Sequence, residues 1–330
     1  MPQGLALVTG ASGFIGSAVV RKLLARGREV RCYVEPGAPQ TNLDGLDVEI
    51  VVGDINDRAA IRRALEGCTA LYHLAAIYKL WLPDNALMYE VNVEGSKTVL
   101  FAALRAGVER VVYTSSIAAV GVAPPGQLAD ESTEFNIWDD ANHYIRSKWL
   151  SERDALRFAA EGLPVVVVNP AFPFGPRDVG PTPTGRFIVE TLAGRVPGYM
   201  EGGFNVVDVD DVAEAHVLAE ERGRVGERYI LGDHNVTYKE FYDAVTEVGG
   251  VKPITRKLPT RVLWGVAWMM EKAATARGVA PPVTYKSARY ASRTLWFDTR
   301  KAHEELGMPR TPLRTSIERS VEWFRQHGRA

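Results

Sequence analysis

The stretch LALVTGASGFIG, residues 5–16, constrains this chain more than any other. Residues 5–10 are a short apolar run ending in glycine, the pattern of a buried parallel strand. From Phe14 to Arg26 a helix is expected, with Ile15, Val19, Leu23 and Leu24 on one face and Gly27 stopping it. Gly10, Gly13 and Gly16 lie between strand and helix. Gly10 permits a tight turn, Gly13 lets backbone approach a pyrophosphate, and Gly16 lets the helix pack close to the strand. The helix start offers free N–H groups and a positive dipole end to phosphate. A glycine triplet is weak evidence alone; in this position it points to a bound dinucleotide.

The rest of the first half continues the rhythm. Strands are expected at 29–35, 48–54, 69–76, 110–116 and 163–170. Helices are expected at 57–66, capped by Asp57, at 85–106, ended by Gly107, and from HYIRSKW (143–149) to about Ala160. Nearly continuous apolar strands alternating with helices imply a parallel sheet covered on both faces. Right-handed crossovers then give an α/β fold with a doubly wound Rossmann sheet. After residue 170 comes PAFPFGPRDVGPTPTG, a loop-dominated stretch of the kind that forms binding elements. A strand and helix over 204–221, capped by Asp210 or Asp211, and a strand at 227–232 are expected to return to the sheet. The remainder is mainly helical. The expected division is a dinucleotide domain of 1–170 plus 204–233, and a smaller, mainly helical substrate domain of 171–203 plus 234–330.

Composition removes other classes. Lys plus Arg is 39 against 40 for Asp plus Glu, so no basic excess points to nucleic acid or an anionic membrane. Cys32 and Cys68 lack metal-ligand spacing and read as buried free thiols, which suits a reducing cytoplasm; no metal site is expected. No signal peptide is visible, and no apolar run approaches the roughly 20 residues that span a bilayer. The nearest, VLWGVAWMM (262–270), is bounded by Arg261 and Glu271. It is expected to be an amphipathic helix packed on the body, with membrane contact the lesser alternative.

The chemistry concentrates on three side chains. Tyr144 and Lys148 are one helical turn apart and share a face. Ser116 ends the fifth strand, with Ser115 the fallback because spacing does not separate them. Moving hydride to or from a carbonyl requires a proton to move on its oxygen. A free tyrosine has a pKa of roughly 10, and a neighbouring ammonium favours its phenolate. Tyr144 is therefore the expected acid/base, Lys148 tunes it, and Ser116 bonds the reacting oxygen. At the end of the second strand, Glu35 would bond ribose hydroxyls and repel a 2′-phosphate, favouring NAD, with NADP the alternative. Glu35 could instead face solvent and pair with Arg31. Asp54 is placed to meet the adenine edge, and Leu74, Ala75 and Ala76 would pass beneath the dinucleotide.

The motifs TGASGFIG, GDIND, HLAA, NVEGS, YTSS, YIRSK and VDVDDVAEAH, in this order, resemble the extended short-chain dehydrogenases/reductases of the NAD-dependent epimerase/dehydratase group. AAIYKLW, NPAFPFGPRDVGPTPTG and GERYILG look like the bacterial hopanoid-associated sugar epimerases, relatives of dihydroflavonol reductases. The resemblance implies that Lys148 also holds the nicotinamide ribose, that Pro170 and Phe172 border the nicotinamide, and that Asn92 sits near the cofactor. Phe14, Ile15, Ile55 and Thr114 complete the expected cofactor contacts. Departures from the pattern matter too. The Asp-Glu pair of a sugar dehydratase is Ile117 and Ala118 here. The Arg that faces the pyrophosphate in a UDP-sugar epimerase is replaced at Phe204 and Asn205, and Asp208 stands in place of a common His. Glu35 stands where reductase relatives commonly carry Arg. Arg186, Arg289 and Arg293 are expected to be solvated surface residues, available to an anionic substrate. A sugar epimerase-like enzyme is thus expected, with an NAD(P)H-dependent ketone or aldehyde reductase the alternative, and a non-catalytic dinucleotide-binding regulator the alternative outside the enzymes. The expected partners are a small alcohol, ketone or sugar and a second copy of the chain, joined through the helices at 85–106 and 142–160.

Overall fold

Apolar, β-branched runs bounded by glycine and proline form strands, and helical-period segments between them form the crossovers. A computed structural model describes residues 4–79 and 81–329; Met1–Gln3, Leu80 of the AAIYKLW motif and Ala330 lie outside the described residues. The first half runs β1 (Leu5–Thr9), α1 (Phe14–Ala25), β2 (Val30–Val34), β3 (Glu49–Val52), α2 (Arg58–Ala64), β4 (Cys68–His73), α3 (Ala86–Tyr89), α4 (Ser96–Ala106), β5 (Arg110–Thr114), α5 (His143–Ala160) and β6 (Val165–Pro170). Then follow β7 (Phe172–Phe174), α6 (Gly185–Leu192), β8 (Gly203–Asp208), α7 (Val209–Arg222), β9 (Arg228–Leu231), β10 (His234–Thr237), α8 (Tyr238–Gly249), α9 (Thr260–Arg277), α10 (Tyr285–Ala291), β11 (Thr294–Leu295) and α11 (Leu313–Gln326).

The main sheet has seven strands in the order β3-β2-β1-β4-β5-β6-β9, and every neighbouring pair is parallel. This is the doubly wound Rossmann topology. The strand order reverses between β1 and β4, so the crevice for a ligand opens beyond their carboxyl ends. The two faces carry separate apolar cores. Val8, Val19 and Leu23 lie in one, and Leu7, Leu71 and Val111 in the other, which explains why the strands are apolar at successive positions. Edge strand β3 departs from that pattern, with Ile50 and Val52 exposed, because neighbours cover an edge less completely.

Four expectations change. The strand beginning at residue 203 does not return to the main sheet. β8 pairs antiparallel with β10 and parallel with β11 and β7, forming a second sheet. Its side chains join an aromatic cluster with Phe174, Phe187, Tyr238 and Phe241, so burial against the C-terminal helices decided its place. The helix after it is capped by Asp208, which accepts from the Asp210 N–H at 2.8 Å, not by Asp210 or Asp211. The helix expected at 85–106 is interrupted by a π-helical turn at Glu90–Gly95, and the stretch after 170 contains β7 and α6.

Candidate active site

Gly10 has φ +67°, and a Cβ there would lie 2.8 Å from the Ala75 nitrogen. The exits of β1 and β4 therefore touch at a position only glycine fits. A Cβ on Gly16 would sit 2.1 Å from the Gly10 carbonyl oxygen, so Gly16 allows α1 to start against the turn. Gly13 occupies the N-cap of α1; no side chain caps that end and its first turn holds no acid. Its free N–H groups and dipole are thus left for an anion, and this cradle fits a dinucleotide pyrophosphate. Phe14 and Ile15 are half-buried beside it. Thr9 ties the floor together: its hydroxyl oxygen accepts from the Leu74 and Ala75 N–H groups, each at 3.2 Å. That hydroxyl also meets His73 Nδ1 at 2.7 Å, while His73 Nε2 meets Ser96 Oγ at 3.0 Å. Ser96 gives its own proton to the Asn92 carbonyl, so Nε2 carries the imidazole proton and Nδ1 accepts from Thr9. Burial pushes the His73 pKa down to about 3, which keeps this tautomer neutral.

Glu35 lies exposed just past β2. Arg31 does not pair with it; Arg31 reaches Glu49 at 2.7 Å, one strand over. Asp54 is exposed, its carboxylate taken by the Asn56 N–H and amide, and Ile55 behind it is buried. Ala76 is exposed, and Leu74 and Ala75 are half-buried above the cradle.

Asn142 caps α5, accepting from the Ile145 N–H at 2.9 Å, and so fixes where Tyr144 and Lys148 leave the helix. Of the two serines, Ser116 is the one whose hydroxyl acts on the Tyr144 phenol and favours its phenolate. Ser116 Oγ also accepts from the Ala118 N–H at 3.1 Å. Ser115 is turned inward, buried, with no hydrogen-bond partner for its oxygen among the described residues. Lys148 is buried and donates to the Thr114 carbonyl at 2.8 Å. Burial lowers its pKa to about 8, against the pull of Glu152. Burial pushes the Tyr144 pKa up to about 12, and the nearby Ser116 hydroxyl only partly offsets this. The expected lowering of Tyr144 by Lys148 is therefore not what the protein alone produces. With the ammonium turned to Thr114, desolvation wins and the phenol stays protonated.

A buried polar layer positions these groups. Asn92, on the π-helical turn, accepts from the Ile77 N–H at 2.7 Å and donates to Ser147 Oγ at 3.0 Å. It thereby joins the β4 exit loop to α5. Thr114 bonds His216 Nε2 at 2.9 Å, and His216 Nδ1 gives its proton to the Val212 carbonyl at 2.7 Å. Asn169 donates to the Ser116 carbonyl at 3.0 Å and to buried Glu152, which also pairs with Arg228 at 2.9 Å. Asn42 donates both to Ser12 O in the glycine turn and to Arg177 O, each at 3.1 Å. His216, Glu152, Arg228 and Asn42 were not found from the sequence, because their partners are remote along the chain.

The surroundings of Tyr144 are aromatic. The Tyr78 ring lies 5.0 Å from that of Tyr144, and Tyr290 of α10 packs with Tyr144 on the cluster of Ala118, Ile137, Ala141 and Ile145. Phe172 meets Phe204 at a tilt, 5.0 Å between centroids, and Pro170 is buried at the β6 end. Phe204 and Asn205 are fully buried; Asn205 bonds Asn235 at 2.8 Å. Asp208 is held by Arg319 and Ser316. Ile117 and Ala118 are buried in a 3₁₀ turn and supply no acid or base. Arg289 and Arg293 are not free surface residues, since both pair with buried Asp140; Arg186 is exposed as expected. Among the described residues no group of His, Cys, Asp or Glu could hold a metal, both cysteines are free and buried, and no helix is long and apolar enough to cross a membrane.

Residues 6–232 match the model of the NAD dependent epimerase/dehydratase family. A putative dihydroflavonol 4-reductase of Synechocystis is 38% identical, over 97% of this chain and 94% of its own. Sterol demethylase protein B of Methylococcus capsulatus is 36% identical over 98% of both. The crystal structure of gox2253 superposes with a TM-score of 0.89 at 43% identity, covering 98% of this chain and 99% of that one. Cradle, Ser-Tyr-Lys arrangement, sheet order and these likenesses agree: the chain belongs to the NAD dependent epimerase/dehydratase family and is an NAD(P)-dependent enzyme of the short-chain dehydrogenase/reductase type.

Proposed function

We propose that this enzyme reduces the carbonyl group of an apolar ketone or aldehyde, with NADH as the preferred donor. The observation that carries this reading is the apolar, aromatic setting of Tyr144, walled by Tyr78 and Tyr290 with Ser116 nearby, whose burial keeps the phenol protonated. The nicotinamide supplies the hydride when bound. The chain's own part is to hold the carbonyl oxygen between the Ser116 and Tyr144 hydroxyls and to deliver a proton there. An alkoxide is a far stronger base than a phenolate, so it takes a proton downhill from a phenol at about 12. Lys148 is still largely a cation at neutral pH and favours the phenolate left behind. Exposed Glu35 supports the NADH preference by repelling a 2′-phosphate.

Sugar epimerisation is the second reading, favoured by the family's own membership. Against a nucleotide sugar, Phe204 and Asn205 are buried and cannot present a cation to a pyrophosphate. Exposed Leu87, Phe101 and Leu150 on α3, α4 and α5 support a homodimer through that face.

The test is NADH consumption by purified protein across aryl, polycyclic and aliphatic ketones, alongside the Tyr144→Phe protein. Turnover should fall about 10²–10⁴-fold in the variant, with dinucleotide binding retained. Dinucleotide that copurifies stoichiometrically, with interconversion of nucleotide sugars and no net NADH use, would establish the epimerase reading instead.

A further inference from the structure

Helix α9 presents its apolar row to solvent. Ala267 and Ala274 are its buried residues. At 100° per residue the opposite face carries Gly265, Met269 and Ala276 at its centre, with Val262 and Ala273 toward one edge and Lys272 toward the other. Val262 and Met269 are 59% and 57% exposed, with Trp268 at 51% and Met270 at 42% on the flanks. A helix packed on the body through its apolar side would show the reverse.

The charges on this helix are ordered as well. Arg261 and Lys272 lie along one flank of the row and Arg277 along the other, all exposed, and no ion pair holds them among the described residues. The single acid of α9, Glu271, is turned inward, where its carboxylate accepts from the Tyr285 N–H at 2.7 Å. The outward surface therefore combines an apolar ridge, an interfacial tryptophan and cations with no compensating anion. Beside it, a groove of about 520 Å³ is lined by Arg261, Trp264, Gly265, Trp268 and Tyr285. The same Tyr285 begins α10, whose Tyr290 reaches the Tyr144 cluster.

We propose that α9 lies on the surface of an anionic lipid bilayer. The apolar row enters the headgroup–acyl boundary, Trp268 sits at the interface, and Arg261, Lys272 and Arg277 meet lipid phosphates. A second copy of this chain is a poorer occupant, because a twofold contact would set these cations against their own equivalents. The attachment is peripheral: α9 is not apolar enough to cross.

The experiment is flotation of the full-length protein with phosphatidylcholine vesicles, with and without about a third phosphatidylglycerol. The wild type should float with the anionic vesicles and be released by high salt. Val262→Asp/Met269→Asp should stay at the bottom, and Arg261→Gln/Lys272→Gln should lower the partition coefficient about thirtyfold. All four sites are exposed, so melting temperature and NADH binding should be unchanged and will show that the variants fold. A wild type that fails to float at low salt, or a double Asp variant that floats equally, overturns the proposal. So does a halving of the solution mass by the double Asp substitution, which would assign the face to a second copy. Carbonyl reduction of a soluble ketone is read separately, so failure here leaves the reaction assignment intact.

Discussion

Lys148→Met should make the protein more stable and nearly inactive. Lys148 is only 4% exposed, and its pKa lies at about 8 against an ordinary 10.5. That gap corresponds to about 3 kcal/mol of burial penalty on the charged form. Because the folded pKa is the lower one, the unfolded chain binds more protons between about pH 8 and 10.5, and stability rises with pH across that window. Below pH 8 the penalty is complete. Methionine fills a similar volume without charge, so it removes the penalty while losing the 2.8 Å charge-assisted bond to Thr114 O, a loss of about 2 kcal/mol. The net gain near pH 7 is about 1 kcal/mol, a rise in Tm of about one or two degrees. Thermal melts of both proteins without dinucleotide, at intervals from pH 6.5 to 10.5, should show that difference shrinking above pH 8. Carbonyl reduction should fall about 10²–10⁴-fold, because the cation that favours the phenolate is gone. A variant that melts below the wild type at pH 7, or by a margin independent of pH, would refute the account of Lys148 as a buried, penalised cation.

Two further substitutions probe the cofactor cradle. Gly16→Ala places a methyl 2.1 Å from the Gly10 oxygen and should displace the turn, weakening dinucleotide binding at least tenfold by fluorescence titration. Unchanged affinity would mean that the turn is not the pyrophosphate seat. Glu35→Arg should reverse the coenzyme preference, raising kcat/KM for NADPH relative to NADH by about tenfold or more. An unaltered ratio would show that Glu35 does not face the ribose.

The local chemistry of this protein was legible along the chain. The glycine turn, the helix start at Phe14, the Asp57 cap and the one-turn spacing of Tyr144 and Lys148 depend on neighbours within a few residues. The parallel sheet was legible too, because strands covered on both faces must be apolar at successive positions. What tertiary structure decided concerns groups whose partners are distant. β8 left the main sheet because Phe204 found an aromatic cluster assembled from residues 172 to 241. Arg289 and Arg293 became partners of buried Asp140, and Arg31 turned to Glu49. Most consequentially, the spacing brought Lys148 beside Tyr144, but the Thr114 carbonyl took its ammonium and burial set the phenol's pKa. Proximity follows from helix periodicity; desolvation depends on everything packed around a group, and only the folded chain determines it.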